Sequence, residues 1–283
     1  MRMTPSPKIF GLIGYPLKHS LSHLMHNAAF RALNLDARYG LFELKPQELK
    51  NFLESLSQKN IYGLNVTIPY KEQVIPFVDR LSAQARLIGA VNTIRALQDK
   101  LEGFNTDGEG FLKHITEDLG FSPEGKTVSV IGAGGAARAV TASLSKAGVK
   151  RVTIYDTEGG KLKNLLAHLK VNFKGIEFNQ AHSIDGLNIN NSDLLVNATP
   201  VGMKEADPLI VSEAQIHRGL LVYDLIYNPK ETKLLKLGKE KGAMVSNGLG
   251  MLLYQGMLSL EIWTGKIAPK EVMRKALEVS YVR

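Results

Sequence analysis

Residues 127–138 read T-V-S-V-I-G-A-G-G-A-A-R, and no other stretch restricts the fold as much. An apolar run rich in β-branched residues (Val128, Val130, Ile131) meets a glycine cluster, then an alanine-rich segment over 136–147 with good helix propensity. That order predicts strand, tight turn, helix. In such a turn Gly132 permits the backbone angles and Gly134 lets the main chain approach a pyrophosphate, which the amides and dipole of the following helix then face. Ala137 stands in for the third glycine of the usual dinucleotide fingerprint and is small enough for close helix–strand packing. A glycine string alone also suits any buried strand-to-helix turn. Here the next apolar run, 152–156, ends in Asp156, near the position about 20 residues on where a ribose-binding carboxylate is expected.

From residue 127 onward, short apolar runs alternate with helical patterns, as in a parallel sheet covered by helices on both faces. The expected strands are 127–131, 152–156, 175–178, 193–198, 220–225 and 243–246, the six-strand complement of a dinucleotide-binding unit. The run 175–178 is the weakest of them. After N-G-L-G (247–250) a long helical pattern carries Met251, Leu252, Tyr254, Leu258 and Trp263, a spacing typical of core, with polar Gln255 among them. A last helix follows Pro269.

With 283 residues the chain has room for two domains. There are no cysteines, so disulfides, thiolate zinc sites and a cysteine nucleophile are excluded, and no His/Asp/Glu spacing points to a metal. Lys+Arg exceed Asp+Glu, 35 against 27, but the basic residues are dispersed. A preference for small anionic ligands explains that excess without nucleic acid. The first residues lead into only a short apolar run, so neither a signal peptide nor a membrane span is expected, and the reading is a cytoplasmic protein.

The first half starts with a buried strand over 8–14, stopped at Tyr15-Pro16. Ser20 and Ser22 then precede a helix running to about Leu33. One of the two hydroxyls is expected to cap that helix, while a pair on a loop also suits a carboxylate. A second strand, 39–44, leads to a helix opened by Pro46, with Leu49, Phe52, Leu53 and Leu56 on its core face. The third strand, 63–69, places polar Asn65 and Thr67 on one face, and Lys71 follows just beyond its end. Next come a helical stretch over 75–88 and a hairpin of 89–97 and 101–108 about an Asp99-Lys100 turn. Asn92 and Asp107 lie at or near the strand ends, and each is also a common turn residue.

Taken together, these pieces resemble the shikimate dehydrogenase family, with its quinate/shikimate relatives. The residues that carry the resemblance are G-Y-P-L-K-H-S-L-S (14–22), N-V-T-I-P-Y-K (65–71), G-A-V-N-T (89–93), N-T-D-G (105–108), the loop 132–136, N-A-T-P-V-G-M (197–203), and N-G-L-G-M (247–251) followed by Gln255. They keep the family's order over nearly the whole chain. The resemblance implies an α/β chain of two domains. An α/β substrate-binding domain comprises 1–107 plus 248–283, its C-terminal helices returning to it, and a Rossmann-like doubly wound parallel sheet at 108–247 binds the dinucleotide. It further implies that Ser20 and Ser22 hold a substrate carboxylate and that Asn65, Thr67, Asn92, Tyr227 and Gln255 meet ring hydroxyls or that carboxylate. Lys71 and Asp107 would form the catalytic pair. Gly132, Ala133, Gly134, Gly135, Ala136, Asp156, Leu225 and Gly248 would meet the cofactor.

The implied chemistry is oxidation of a ring alcohol to a ketone and its reverse, with hydride passing to or from a nicotinamide and a proton leaving or returning to the oxygen. An amine carries such a proton well when partial burial favours its neutral form. A nearby carboxylate works the other way, so Asp107 is read as a positioning and hydrogen-bonding group. Two departures from the family pattern stand out. His23 occupies a position where proline is common. NADP-using members resemble N-R-T-x-x-R after the second nucleotide-domain strand, where this chain reads D-T-E-G-G-K (156–161). Asp156 suits the two free ribose hydroxyls of NAD and would repel a 2′-phosphate, so the reading leans to NAD or dual use against the family's commoner NADP. The expectation is a monomeric or homodimeric shikimate dehydrogenase with a small-molecule substrate. A quinate or dual quinate/shikimate dehydrogenase using NAD is the alternative, and a non-catalytic nucleotide-binding module the remote one.

Overall fold

The computed structural model describes residues 6–18, 20–98 and 100–280. His19 of the serine motif, Asp99 of the expected hairpin turn and the first five residues lie outside the described residues. The chain divides into two compact units, Met1–Gly110 with Leu252–Arg283, and Phe111–Met251.

In the first unit β1 (Lys8–Gly14) leads through α1 (Ser22–Ala32) to β2 (Ala37–Glu43), then through a 3-10 turn and α2 (Leu49–Glu54) to β3 (Ile61–Val66). β1 pairs in parallel with both β2 and β3. The helix expected over 75–88 is instead a 3-10 turn (Ile75–Phe77), a short strand β4 (Arg80–Leu81) and α3 (Ala83–Ile88). Pro76 has no amide to continue a helix, and the Ser82 hydroxyl starts a new one by accepting from the Ala85 amide at 3.0 Å. β5 (Thr93–Leu97) and β6 (Lys100–Phe104) form the expected hairpin, and the sheet order is β2-β1-β3-β5-β6-β4. The stripe expected on this segment is core: Leu49 and Leu53 on α2 and Leu56 just after it are buried with Ile13, Leu64 and Val66, each leucine contributing about 1.5–3 kcal/mol, and Phe52 packs partly buried against them. α4 (Asp107–Lys113) follows the hairpin.

The second unit alternates strand and helix. β7 (Thr127–Ile131), α5 (Gly135–Lys146), β8 (Arg151–Tyr155), α6 (Gly159–Asn172) and β9 (Glu177–Gln180) form one half. The other half has β10 (Leu194–Asn197), β11 (Leu221–Asp224), α7 (Lys233–Glu240) and β12 (Met244–Asn247). All six strands are parallel in the order β12-β11-β10-β7-β8-β9, the doubly wound arrangement. β7 is buried on both faces, which is why β-branched Val128, Val130 and Ile131 mark it, with Ser129 buried between them. The weakest expected strand exists, displaced slightly toward the C-terminus as β9.

The chain returns to the first unit through α8 (Leu249–Thr264) and ends in α9 (Lys270–Ser280). The units divide a few residues beyond 107 and 247 because α4 and α8 run through the crossings. Among the described residues no helix is long and apolar enough to cross a membrane.

Candidate active site

Lys71 is held by its neighbours on both sides. The Tyr70 ring is fully buried and its hydroxyl donates to the Leu44 carbonyl at 2.5 Å, while the Lys71 carbonyl accepts from the Val91 amide at 2.7 Å. Asp107 opens α4, where the Asn105 side-chain oxygen accepts from the amides of Asp107 (3.1 Å) and Gly108 (3.5 Å). These supports bring Lys71 Nζ to 2.6 Å from Asp107 Oδ2, with side-chain exposures of 14% and 7%. Shielding from water strengthens their attraction and fixes the ammonium's direction, leaving two further N–H groups for other acceptors.

Behind this pair lies a buried polar network. Asn92 Oδ1 accepts from the Thr106 amide at 2.7 Å and its Nδ2 donates to Thr106 Oγ1 at 2.9 Å. Gln255, on α8, offers Oε1 to Asn92 Nδ2 at 3.4 Å and donates Nε2 to the Leu252 carbonyl. Asn65, like Asn92 and Gln255, is buried within this network. It is 4% exposed, its Oδ1 accepts from the Tyr39 hydroxyl at 2.8 Å, and its Nδ2 serves Asn92 O, Thr93 Oγ1 and Ser259 Oγ. Its face of β3 is covered by the hairpin and α8, so Asn65 supports Asn92 from behind. Thr67 falls just past the end of β3 and stays half-buried, its methyl packed over Gly14.

Neither serine is the N-cap residue of α1. Leu21 is the N-cap residue, and Ser20 Oγ instead accepts from the Ser22 amide at 3.3 Å. The helix begins at Ser22 itself, which is buried, and Ser20, partly open on the loop, serves its first amide from one residue before the N-cap.

In the second unit Gly132 follows β7 with φ +111, and a Cβ there would lie 2.9 Å from the Ala198 carbonyl oxygen, so only glycine fits. Space beside Gly134 is open, α5 starts there with no side-chain cap, and Gly134, Gly135 and Ala136 are half-buried. An uncapped helix N-terminus behind an open glycine loop fits the pyrophosphate of a dinucleotide. Asp156 sits beside the loop, with Oδ2 accepting from the Ala133 amide at 2.6 Å and Oδ1 from the Glu158 amide at 2.7 Å. Gly248 is buried with its α-carbon against the Leu225 carbonyl, where no side chain fits. Tyr227 lies half-buried in the segment after β11.

Sequence reasoning missed Asn105, Thr106, Ser259 and Tyr39 as supports. The first two lie inside the N-T-D-G motif, and Ser259 lies one helical turn beyond Gln255, which was the available signal. Among the described residues no group of His, Cys, Asp or Glu is arranged to hold a metal.

Known proteins resemble this chain throughout its length. A family model described as the shikimate dehydrogenase substrate binding domain matches residues 12–94, and one for the shikimate 5′-dehydrogenase C-terminal domain matches 248–278. A relative from Methanopyrus kandleri named shikimate dehydrogenase (NADP(+)) is 46% identical over 275 residues, covering 95% of this chain and 94% of the relative. The crystal structure of shikimate dehydrogenase from Aquifex aeolicus superposes with a TM-score of 0.89 at 38% identity, covering 97% of this chain and 99% of that one. Shikimate 5-dehydrogenase from Listeria monocytogenes, in complex with shikimate and NAD, superposes with a TM-score of 0.87 at 34% identity, covering 98% of each chain. These relatives favour the shikimate reading over the quinate alternative and over a non-catalytic module. With the paired Lys71 and Asp107 in one unit and a doubly wound sheet in the other, the chain belongs to the shikimate dehydrogenase family.

Proposed function

We propose that this protein catalyses the reversible reduction of 3-dehydroshikimate to shikimate, with the first unit binding substrate and the second binding the dinucleotide. The observation that carries the reading is the shielded Lys71–Asp107 pair. When bound, the nicotinamide supplies or accepts the hydride. In its neutral amine form Lys71 Nζ takes the hydroxyl proton during oxidation, and in its ammonium form it gives that proton to the carbonyl oxygen during reduction. Asp107 holds Nζ in place. Within the first unit Asn92 and Gln255 meet ring hydroxyls, Ser20 and Ser22 meet the carboxylate, and Thr67 completes the set. Asn65 acts by orienting Asn92.

For the cofactor, the local charge supports NAD or dual use. Asp156 presents a carboxylate beside the glycine loop, Glu158 adds a second, and Lys161 is paired with Glu158 at 2.6 Å. A 2′-phosphate there would meet negative charge before it met the lysine, whereas free ribose hydroxyls would donate to Asp156. The NADP(+) in the name of the Methanopyrus relative makes the opposite preference the natural competitor.

The test is an initial-rate matrix of shikimate and quinate, each with NAD and NADP. Highest kcat/KM for shikimate with NAD is the expected result. A clear NADP preference would overturn the cofactor assignment alone, and absence of turnover in every combination would overturn the enzyme reading.

A further inference from the structure

The motif N-A-T-P-V-G-M takes no part in the chemistry above, yet the structure ties it to a buried carboxylate. Asp224 ends β11 and is fully buried. Its Oδ1 accepts from Asn197 Nδ2 at 3.0 Å and from the Ile226 amide at 3.1 Å, and its Oδ2 accepts from Thr232 Oγ1 at 2.7 Å. Asn197 ends β10, also fully buried. It donates to the Val201 carbonyl at 3.1 Å, while its Oδ1 accepts from the Thr199 amide (3.1 Å) and hydroxyl (2.7 Å). Thr199 Oγ1 in turn accepts from the Val201 amide at 3.2 Å. One carboxylate thus fixes the segment after β10, the segment after β11, and the capping threonine of α7.

Those segments leave the carboxyl ends of β10, which adjoins β7, and of β11, the next strand out, on the side of the sheet where a doubly wound fold takes its ligand. The first touches the glycine loop directly, since the Ala198 amide donates to the Ile131 carbonyl at 2.8 Å and the Ala198 carbonyl closes over Gly132. The second carries the Leu225 carbonyl against Gly248. Among the described residues no cation pairs with Asp224, and burial pushes its pKa up to about 6 against the hydrogen bonds from Thr232, Ile226 and Asn197. An unpaired carboxylate in such a place is costly to the fold, so its return is the order it imposes on the two segments.

We propose that Asp224 is a positioning residue for the dinucleotide, holding the segments after β10 and β11 in their binding conformation through Asn197 and Thr199. This rests on reading the second unit as the dinucleotide-binding one.

The experiment titrates NAD and NADP calorimetrically into wild type, Asp224→Ala, Asp224→Asn and Thr199→Val, alongside melting temperature and KM for each substrate. Asp224→Ala is expected to weaken dinucleotide binding about tenfold or more and to raise KM for dinucleotide with KM for shikimate nearly constant. Asp224→Asn keeps an accepting oxygen for Asn197 and Ile226 and an amide to give Thr232, so it should restore affinity to within about twofold of wild type. Thr199→Val removes one hydroxyl from a half-exposed residue and decides the matter if Asp224→Ala fails to fold, with several-fold weaker binding expected. Unchanged affinity in a folded Asp224→Ala or in Thr199→Val, or equal losses for both substrates, would overturn the proposal. A wild type that binds dinucleotide without oxidising shikimate would remove the functional reading and leave this test intact. One that binds no dinucleotide would overturn both.

Discussion

Asn65 and Ser259 share a hydrogen bond of 2.9 Å, from Nδ2 to Oγ, that joins β3 to α8 inside the first unit. Ser259 Oγ also donates to the Gln255 carbonyl at 2.9 Å and lies 2.8 Å from Thr93 Oγ1 and 3.2 Å from Thr106 Oγ1. Ser259→Ala therefore removes a partner shared by the groups that hold Asn92 and Gln255. Leaving buried donors short of acceptors is expected to cost about 1–3 kcal/mol in urea denaturation. KM for shikimate should rise more than kcat falls, because the affected groups orient substrate rather than move its proton. Wild-type stability and KM in the variant would show that the remaining hydroxyls suffice.

Lys71→Ala tests the proton-transfer step. With the amine gone and Asp107 left shielded, kcat is expected to fall on the order of a hundredfold or more with only a modest change in KM. Full turnover by this variant in a steady-state assay would assign the proton to another group. Asp107→Asn keeps a hydrogen-bond partner for Nζ without the charge, and is expected to lose less than Lys71→Ala.

The parts of this architecture that sequence made legible are those where burial on both faces imposes a pattern. β7 and β8 carry buried β-branched residues (Val128, Val130 and Ile131; Val152 and Ile154), and the glycine loop between β7 and α5 admits few other backbones. Asn65 was not legible in the same way. Alternation along β3 tells which face a side chain takes, but whether that face meets solvent or a hydroxyl from a helix nearly 200 residues later depends on tertiary packing. The two serines were ambiguous for a different reason: a hydroxyl next to a helix start suits a cap and a ligand equally well, and only the backbone shows that Leu21 takes the N-cap position. The stretch 75–88 did carry its own signals, Pro76 and Ser82, which the apolar spacing concealed.

The cofactor assignment predicts the effect of one charge. Asp156→Asn keeps an oxygen to accept from the Ala133 amide but removes the repulsion that a 2′-phosphate would meet. kcat/KM with NADP is expected to rise about tenfold relative to NAD. The ratio of the two specificity constants, measured for wild type and variant under one salt condition, checks this. A ratio that does not move places the 2′-position away from Asp156.

Two buried groups give stability opposite dependences on pH. His26 is fully buried, stacked on Tyr39 at 4.5 Å, with both ring nitrogens lacking a hydrogen-bond partner. Burial lowers its pKa from 6.5 to about 3, with the Asn65 side chain acting the other way. The unfolded chain therefore binds this proton before the folded one does, so His26 contributes fully above pH 6.5 and its contribution is lost as pH falls toward 3. Asp224 behaves in reverse. Its folded pKa of about 6 exceeds the ordinary 3.8, so its contribution is present below pH 3.8 and is lost as pH rises through 6. Between about pH 4 and 6 each would tilt the unfolding free energy by up to about 1.4 kcal/mol per pH unit, in opposite senses, and the two nearly cancel. Asp224→Asn is expected to unmask His26, giving a protein that loses stability on acidification more steeply than wild type. His26→Phe should unmask Asp224 and lose stability as pH rises across the same window. Urea denaturation of the three proteins from pH 4 to 7 checks both signs, since the other titrating groups are common to all. Parallel curves would mean that neither group keeps its shifted proton equilibrium in the folded protein.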